Sequence, residues 1–418
     1  MSLMSSTPPP PGDREKIVSK LPATLQQELK VRTAQHNLDI QDAVEAGISA
    51  WSGLGSNLPA IDTAGAKAFS TWLPAGQWDA FKSACRARGV PLVQGLAQSV
   101  STWLQNNPAP GVQRPAIVKR FVVCNQKGGV GKTAVTAGVG QALAESPEQL
   151  YPVAISKHFA VARTSTDPAA DVTAVEQVPG PGLRVLLVDF DPQGHLTKQL
   201  GHELLHLDGD SLTKHMAGEA KGKLEDLVVA VEDDRFDDRL HLLPSCTDAF
   251  LLDVKLSGVR AREAALERAL SPIESDYDVI IVDCPPSLGL SMDAAAYYGR
   301  RRDAEPLGNS GILVVVQAED SSADAYGLLT NQIDDLRSDM HLELDYLGIV
   351  VNHYDARRGY IATSSLDSWM AIRDPRVVGL VGDLKEQKEA VRVKQPLLAY
   401  APQCPQSLAL RALAREIA

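Results

Sequence analysis

Residues 124–136, CNQKGGVGKTAVT, combine glycines, lysines and a threonine at spacings suited to binding phosphate. The stretch fits the pattern G-x-x-x-x-G-K-[ST] if Lys127 stands where the first glycine usually stands. The glycines let the backbone curl so that its N–H groups point inward at phosphate oxygens. Lys132 then reaches the β- and γ-phosphates, and the Thr133 hydroxyl is placed to bind Mg²⁺. The predicted cofactor-binding residues of this loop are Lys127, Gly128, Gly129, Val130, Gly131, Lys132, Thr133 and Ala134.

Besides Lys132, the loop contains an additional lysine, Lys127. A single bound nucleotide does not require it, because Lys132 already contacts the phosphates. We expect a side chain at the first position of the loop to point out of the pocket. An unpaired ammonium group there is best explained if it meets the phosphate charge of a second molecule. The alternative is an ordinary solvated lysine.

Carboxylates follow two apolar runs further along the chain. RVLLVDF leads into DFDPQG (189–194), where Asp189 and Asp191 are two residues apart and therefore point to the same side of a strand end. Asp191 is predicted to hold the attacking water, and Asp189 to help position Mg²⁺ through water. DVIIVDC ends at Asp283, the expected partner of the loop threonine around Mg²⁺. The predicted metal residues are thus Thr133, Asp189 and Asp283.

Short apolar runs alternate with helical patterns from residue 117 onwards. FVVC (121–124) is typical of the strand that enters the loop, and AVTAGVGQALAE (134–145) of the helix that leaves it, with its positive end towards the phosphates. Runs buried on both faces indicate a parallel sheet with crossover helices. We therefore predict an α/β domain over 117–418, a P-loop NTPase fold with a mostly parallel sheet flanked by helices. Further predicted strands are RVLLVDF (184–190), RLHLLPS (239–245), DVIIVDC (278–284), GILVVVQ (311–317) and YLGIVVN (346–352).

Composition restricts the class of protein. The 418 residues are 44% hydrophobic and 22% charged, as in soluble globular proteins. Five scattered cysteines without a C-x-x-C pattern favour a reducing cytoplasm and argue against a cysteine metal site. No apolar run is long enough for a membrane span, and we expect no signal peptide before Arg14. Because the net charge is −11, any binding of nucleic acid must use a local patch.

The N-terminal part is predicted to be a separate, small and mainly helical domain. Residues 1–13 are expected to form a disordered leader, residues 14–107 the domain, and residues 108–116 a linker. The domain contains an internal repeat, 16–51 and 67–103, in which Leu-Pro and a terminal tryptophan recur 52 residues apart. Each copy has the pattern of a short strand followed by two helices, which resembles the ribbon-helix-helix unit. Such a unit is stable only when two copies pair their strands, and here the two copies could pair with each other.

The predicted ribbon has one strand better suited than the other to reading DNA. If Ile17, Ser19 and Leu21 face inward, Lys16, Val18 and Lys20 face outward, where the strands of such a ribbon enter the major groove. The second strand would present Ala68, Ser70 and Trp72, which are poor groups for contacting bases. The domain therefore either binds DNA with one good strand or serves in dimerisation or partner docking.

KGGVGKT, DFDPQG, IIVDCPPSLG, LVVVQAE and GIVVN, in this order, resemble the motifs of the ParA/MinD family of deviant phosphate-loop ATPases, specifically its ParA partition branch. The resemblance covers residues 117–418. It implies ATP and Mg²⁺ as cofactors and an ATP-bound sandwich dimer in which Lys127 contacts the partner subunit's nucleotide. It also implies that Asp191 assists hydrolysis, that Asp283 supports Mg²⁺ and that Asn352 lies near the base.

The chain departs from the family pattern at Ala134, where a second hydroxyl residue usually follows the threonine. We expect weaker contact with the α-phosphate and no loss of activity, because backbone amides remain. The C-terminal SLALRALAREIA (407–418) carries a leucine stripe, which we expect to pack on the domain and not to bind a membrane.

Basic residues accumulate from residue 384 onwards, with a net charge of +3 in an acidic chain. The resemblance implies that residues of this region bind DNA non-specifically in the ATP state. The alternative is a solvated helix face with interleaved glutamates. The basic residues are Lys385, Lys388, Arg392, Lys394, Arg411 and Arg415; the acidic ones are Glu386, Glu389 and Glu416.

The resemblance thus implies a cytoplasmic, nucleoid-associated ATPase of plasmid or chromosome partition, stimulated by a small ParB-like centromere-binding protein. Two alternatives stay open: a transcription regulator switched by ATP, and a positioning ATPase for a protein cargo. The sequence leaves open the roles of two long segments, 146–182 and 299–311.

Overall fold

The structure of the protein is a computed structural model that describes residues 13–55, 58–156, 172–287 and 289–418. The chain divides between Gly111 and Val112, inside the predicted linker, into two compact units. The predicted disordered leader, residues 1–13, lies outside the described residues except for Asp13.

The first unit consists of two copies of one strand followed by two helices. The two strands pair antiparallel over their whole length, so that Arg14 lies opposite Pro74 and Leu21 opposite Lys67. Trp51 is fully buried at the centre of the core, and its indole N–H donates to Gln98 Oε1 at 3.1 Å. The first copy contains β1 (Arg14–Leu21), α1 (Ala23–Gln35) and α2 (Ile40–Gly53), and the second contains β2 (Lys67–Pro74), α3 (Gln77–Ala87) and α4 (Leu92–Asn106).

The two faces of the β1–β2 ribbon differ in burial. Ile17 and Leu21 are buried against the helices, whereas Val18 is 68% exposed between the exposed Lys16 and Lys20. The outward face therefore carries the three side chains that the alternation in β1 predicts. The assignment of the unit to the ribbon-helix-helix class stays a proposal.

The second unit is built on an eight-stranded sheet in the order β12-β11-β10-β3-β9-β6-β8-β7. All neighbouring strands are parallel except β7 and β8 at one edge. The predicted fold class, a mostly parallel sheet flanked by helices, is confirmed. The strands are β3 (Lys119–Cys124), β6 (Val185–Asp189), β7 (Val229–Ala230), β8 (Leu240–Leu243), β9 (Val279–Asp283), β10 (Gly311–Gln317), β11 (Tyr346–Tyr354) and β12 (Val377–Gly382).

Successive strand residues point to opposite faces of the sheet, so both faces carry apolar side chains. Helices cover both faces. Val122 belongs to one apolar core and Val123 to the other. The helices are α5 (Lys132–Ala144), α6 (His195–Gln199), α7 (Leu212–Ala217), α8 (Leu252–Lys255), α9 (Ala265–Leu270), α10 (Leu290–Tyr298), α11 (Asp320–Met340), α12 (Tyr360–Ala371), α13 (Lys385–Arg392), α14 (Leu397–Tyr400) and α15 (Pro405–Ile417), with short 3-10 turns at Leu224–Leu227, Thr247–Leu251, Arg262–Ala264, Glu274–Asp276 and Ala356–Arg358.

The long segment 146–182 contains an antiparallel hairpin. Its strands are β4 (Leu150–Ser156) and β5 (Val172–Pro179), and residues 157–171 lie outside the described residues. Gly180, directly after β5, packs closely against Glu145, the residue that follows α5. A Cβ on Gly180 would lie 2.2 Å from the carbonyl oxygen of Glu145. The end of the hairpin is thus tied to the end of α5.

The segment 299–311 holds a buried arginine of β3 in place. Arg120 is fully buried, and its guanidinium group donates to Glu305 Oε1 at 2.7 Å and to Glu274 Oε1 at 3.4 Å. A buried cation requires such compensation. The segment therefore supplies a counter-charge to the core of the unit.

The three arginines of this segment are themselves paired within the chain. Arg300 contacts Glu267, Arg301 contacts Glu343 at 2.8 Å, and Arg302 contacts Glu274 at 2.8 Å. Their side chains are at most 29% exposed. The three adjacent arginines therefore do not form an exposed, uncompensated basic surface.

The C-terminal helix α15 packs on the sheet as the leucine stripe predicts. Leu410 and Leu413 are buried in the same core as α5. Arg411 is also buried, and it forms a bidentate pair with the buried Glu145, with the shortest N–O distance at 2.7 Å. The prediction that Arg411 belongs to an exposed basic surface is therefore wrong, because helical spacing places it on the inward face between the leucines.

Candidate active site

The phosphate-binding loop joins the end of β3 at Cys124 to the start of α5 at Lys132. Gly129 and Gly131 have φ angles of 77° and 85°, in the left-handed region that favours glycine. A Cβ on Gly131 would lie 2.1 Å from Nδ2 of Asn352, so no larger residue fits there without a shift. The curled backbone predicted from the glycines is present.

Side chains from β10 and β11 hold two carbonyl groups of the loop. Asn352 Nδ2 donates to the Val130 carbonyl at 2.9 Å, and Gln317 Nε2 donates to the Gly129 carbonyl at 3.2 Å. Because these carbonyl groups accept hydrogen bonds from side chains outside the loop, the N–H groups of the loop are free to face phosphate. The amide of Asn352 thus supports the loop, and its predicted place near the base stays a prediction.

Lys132 lies at the base of the loop and is only 6% exposed. Its ammonium group donates to the Lys127 carbonyl at 3.3 Å. Burial lowers the pKa of Lys132, while the charge of Asp283 acts in the opposite direction. A buried ammonium group aimed along the loop suits contact with β- and γ-phosphates.

The structure brings Thr133 and Asp283 together as predicted from the sequence. Thr133 Oγ1 donates to Asp283 Oδ2 at 2.8 Å, and Thr136 Oγ1 donates to Oδ1 of the same carboxylate at 3.2 Å. Asp283 lies directly opposite Asp189 on the neighbouring strand β6. Both carboxylates are therefore at the carboxyl edge of the sheet, where ligands bind in open α/β sheets.

The electrostatics of these two carboxylates favour a cation. Burial, reinforced by the charge of Asp189, raises the pKa of Asp283 to about 8. Burial raises the pKa of Asp189 to about 6, although Thr197 donates to its Oδ2 through both N–H and hydroxyl. Among the described residues, Oδ1 of Asp189 has no hydrogen-bond donor.

Mg²⁺ fits the oxygen donors of Thr133, Asp189 and Asp283. Within residues 13–55, 58–156, 172–287 and 289–418, no group of three or more His, Cys, Asp or Glu side chains is arranged to hold a metal ion by itself. A cation between Thr133, Asp189 and Asp283 would therefore need phosphate oxygens and water to complete its ligands, as Mg²⁺ does at nucleotide sites.

Asp191 lies two residues beyond β6 and is 7% exposed. Its Oδ1 accepts the N–H of Gln193 at 2.9 Å, and its carbonyl accepts the Ser245 hydroxyl at 2.7 Å. These contacts fix the backbone and one carboxylate oxygen. The side chain is thus held in a set orientation, as a residue that orients a water must be.

Lys127 is not the unpaired group that the sequence suggested. Its ammonium nitrogen lies 2.9 Å from Oε2 of Glu319, which follows β10, and its side chain is 22% exposed. Arg358 contacts the other oxygen of Glu319 at 3.5 Å. Because Glu319 has two cations, it keeps one partner if Lys127 moves to a different anion.

The basic surface that remains near the C-terminus is helix α13. Lys385 and Lys388 are 77% and 72% exposed, and Arg392 is exposed. Lys388 contacts Asp383 at 2.9 Å, whereas Lys394 contacts Glu203 at 3.2 Å. Pairs this exposed contribute little and exchange readily for other anions.

The helices in the described part of the chain include none that is long and apolar enough to cross a membrane.

Comparisons with known proteins agree with this fold. A family model described as an AAA domain matches residues 170–345, which include the three aspartates but not the loop. An uncharacterized protein of Mycobacterium tuberculosis (strain H37Rv) is 30% identical over 322 residues, covering 74% of this chain and 81% of that protein. A variant of McdA from Cyanothece in complex with ATP has a TM-score of 0.54 at 16% identity, covering 72% of this chain and 97% of McdA, a likeness of fold alone.

A second relative has a descriptive name. The chromosome-partitioning ATPase Soj of Thermus thermophilus is 29% identical over 318 residues, covering 72% of this chain and 96% of that protein. These relatives align with the chain along most of their own length. The sheet, the loop and the strand-end aspartates are the features expected of such ATPases. The chain therefore belongs to the ParA/MinD-type P-loop ATPases.

Proposed function

We propose that this protein is a Mg²⁺-dependent ATPase of DNA partition that dimerises around ATP and binds DNA non-specifically in that state. The observation that carries the proposal is the contact of 2.8 Å between Thr133 and Asp283 at a loop in which side chains of β10 and β11 hold the Gly129 and Val130 carbonyl groups. Bound Mg²⁺ supplies neutralisation of phosphate charge at this point. Lys132 binds the β- and γ-phosphates, and Asp191 orients the attacking water.

Lys127 is proposed to act across the dimer interface on the partner subunit's nucleotide. Its ammonium group is already desolvated in part and held by a carboxylate that has a second cation, so transfer to a phosphate leaves Glu319 compensated by Arg358. The name of Soj, a chromosome-partitioning ATPase, supports a role in chromosome partition. The proposal also includes a small ParB-like protein as the stimulating partner and the cytoplasmic nucleoid as the location.

The proposal predicts hydrolysis of ATP by the purified chain with Mg²⁺ and none with excess EDTA, because the phosphates then lose their main neutralising charge. Phosphate release is the measurement, and light scattering with ATP reports the dimer. Equal rates with and without Mg²⁺ would contradict the assignment of Thr133, Asp189 and Asp283.

DNA binding by the ATP form should be nearly independent of sequence and steeply dependent on salt. If α13 of each subunit neutralises about two or three phosphates, the dimer contacts roughly five, and the slope of log K against log[salt] is roughly −4 to −5. Replacing Lys388 and Arg392 with alanine should reduce this slope at unchanged ATP affinity. The measurement is DNA binding with ATP across a salt series.

A matched control removes two exposed lysines elsewhere. Lys221→Ala with Lys223→Ala changes the net charge equally but lies outside α13, and it should leave the slope unchanged. An equal loss in both double variants would mean that the net charge, and not the surface of α13, sets DNA affinity.

The first unit favours a second candidate function, specific DNA recognition by a regulator that ATP switches. The observation is the paired β1–β2 ribbon whose outward face carries Lys16, Val18 and Lys20. A ribbon of this kind can enter the major groove. Footprinting on the DNA upstream of the protein's own reading frame, with Lys16 and Lys20 replaced by alanine as control, distinguishes this function from docking of a protein partner.

A further inference from the structure

His353 follows Asn352 on β11 in an unusual backbone conformation, with a φ angle of 53°. Its half-buried ring lies directly against the phosphate-binding loop. A Cβ built on Gly131 would be 3.0 Å from Nε2 of this ring and 3.2 Å from Cε1. A non-glycine residue with positive φ is uncommon and often marks a functional position.

His353 also contacts the side chain that holds a loop carbonyl. Nε2 of Gln317 donates to the Gly129 carbonyl at 3.2 Å and lies 3.0 Å from Nδ1 of His353. An amide nitrogen has two hydrogens and no acceptor capacity, so it can serve both contacts only if Nδ1 of His353 carries no proton. The arrangement therefore requires a neutral ring with its proton on Nε2.

Protonation of the ring changes this arrangement. A charged His353 has an N–H on both ring nitrogens, so that Nδ1–H faces the Gln317 amide nitrogen, donor against donor. Rotating the amide relieves that contact but places its oxygen against the Gly129 carbonyl. In the rotated orientation the Gly129 carbonyl loses its donor, and in the original orientation repulsion between the two N–H groups weakens the same hydrogen bond. In both cases the constraint that keeps the N–H groups of the loop towards phosphate becomes weaker.

We propose that neutral His353 is a positioning residue for the phosphate-binding loop, acting through Gln317 on the Gly129 carbonyl, and that its protonation weakens nucleotide binding. The inference rests on the proposed function, because it requires a nucleotide in the loop. It adds to that function a dependence on pH that acts through the conformation of the loop.

Four charged groups on neighbouring elements act on His353. Burial lowers the pKa of His353 below its usual value. Asp383 and Glu319 act to raise this pKa, whereas Lys388 and Arg358 act to lower it. With two groups of each sign, burial has the largest effect, and the ring is neutral at and above neutral pH.

The test compares wild type with His353→Asn. Asparagine tolerates positive φ and does not titrate, so the variant keeps the backbone and loses the switch. Calorimetric titration with ADP and Mg²⁺ from pH 8 to pH 5 gives both affinities. At pH 8 the variant should bind ADP no more tightly than wild type, because it lacks the ring nitrogen that orients the Gln317 amide.

On acidification, wild type should lose affinity relative to the variant by about threefold or more. The loss approaches tenfold per pH unit once most molecules are protonated, because only the neutral fraction is competent. The nucleotide, Asp189 and Asp283 titrate in both proteins, so their contributions cancel in the ratio.

A ratio that stays constant from pH 8 to pH 5 would overturn the proposal, and so would a relative gain by wild type, which attraction between a charged ring and the phosphates would produce. Gln317→Ala provides a second test, since its affinity should be lower than that of wild type at pH 8 and the difference should narrow at pH 5. Absence of ADP binding by wild type at every pH would overturn the proposed function and this inference with it.

Discussion

Replacement of Lys132 with alanine should reduce the affinity for ATP by at least about 100-fold, which corresponds to roughly 3 kcal/mol. The ammonium group is buried at the base of the loop and directed along it. Charge-assisted hydrogen bonds to phosphate are among the strongest in proteins, and the alanine side chain offers no replacement. Calorimetric titration of the variant with ATP and Mg²⁺ measures the loss.

The variant Lys127→Ala is the matched comparison, because it removes the other lysine of the same loop. It should bind ATP within about threefold of wild type, since Lys127 contacts Glu319 in its own chain. It should nevertheless fail to dimerise with ATP, because the proposed contact with the partner subunit's phosphates is lost. Light scattering with and without ATP reports the dimer.

A further variant separates this role from simple loss of charge. Glu319→Gln removes the intramolecular partner and leaves the ammonium group, so its dimer should form at an ATP concentration no higher than wild type needs. A normal dimer from Lys127→Ala would show that the second lysine does not act between subunits.

Asp191→Ala should bind ATP and dimerise but hydrolyse about 100-fold more slowly, the usual magnitude for loss of a group that accepts a proton or orients water. The Gln193 N–H and the Ser245 hydroxyl fix this residue in one orientation. The variant should therefore also stay on DNA longer than wild type. Phosphate release with DNA and the stimulating partner present is the measurement.

Asp191→Asn serves as the control for packing. It keeps the size of the side chain and can still accept from the Gln193 N–H, yet it cannot take a proton. Slow hydrolysis in both variants supports a chemical role, whereas wild-type turnover in Asp191→Ala would require a different residue to orient the water.

The parts of the site that the sequence predicts are those encoded locally. The loop, the strand that enters it and the aspartates at strand ends follow from short patterns, because parallel strands bring their carboxyl ends to one edge. Thr133 and Asp283 are 150 residues apart, yet each is marked by its own local motif.

The parts that the sequence does not predict are pairs without a local pattern. Arg411 and Glu145 are separated by 266 residues, and Lys127 and Glu319 by 192. A charged residue has the same appearance in a sequence whether its partner is solvent, phosphate or a distant carboxylate. Gln317 and His353 were missed for a similar reason, although the end of an apolar run beside the loop is a signal that could have identified Gln317.

Because β1 pairs with β2 inside one chain, the stability of the ribbon should not depend on protein concentration. A ribbon made by two separate chains dissociates on dilution, so its stability falls with protein concentration. Here the closing of the ribbon is a unimolecular event, and the first unit should have a melting temperature that does not depend on concentration. A dimer formed through ATP would then carry two complete ribbons. Under the second candidate function, their binding to neighbouring DNA sites would gain from effective concentration.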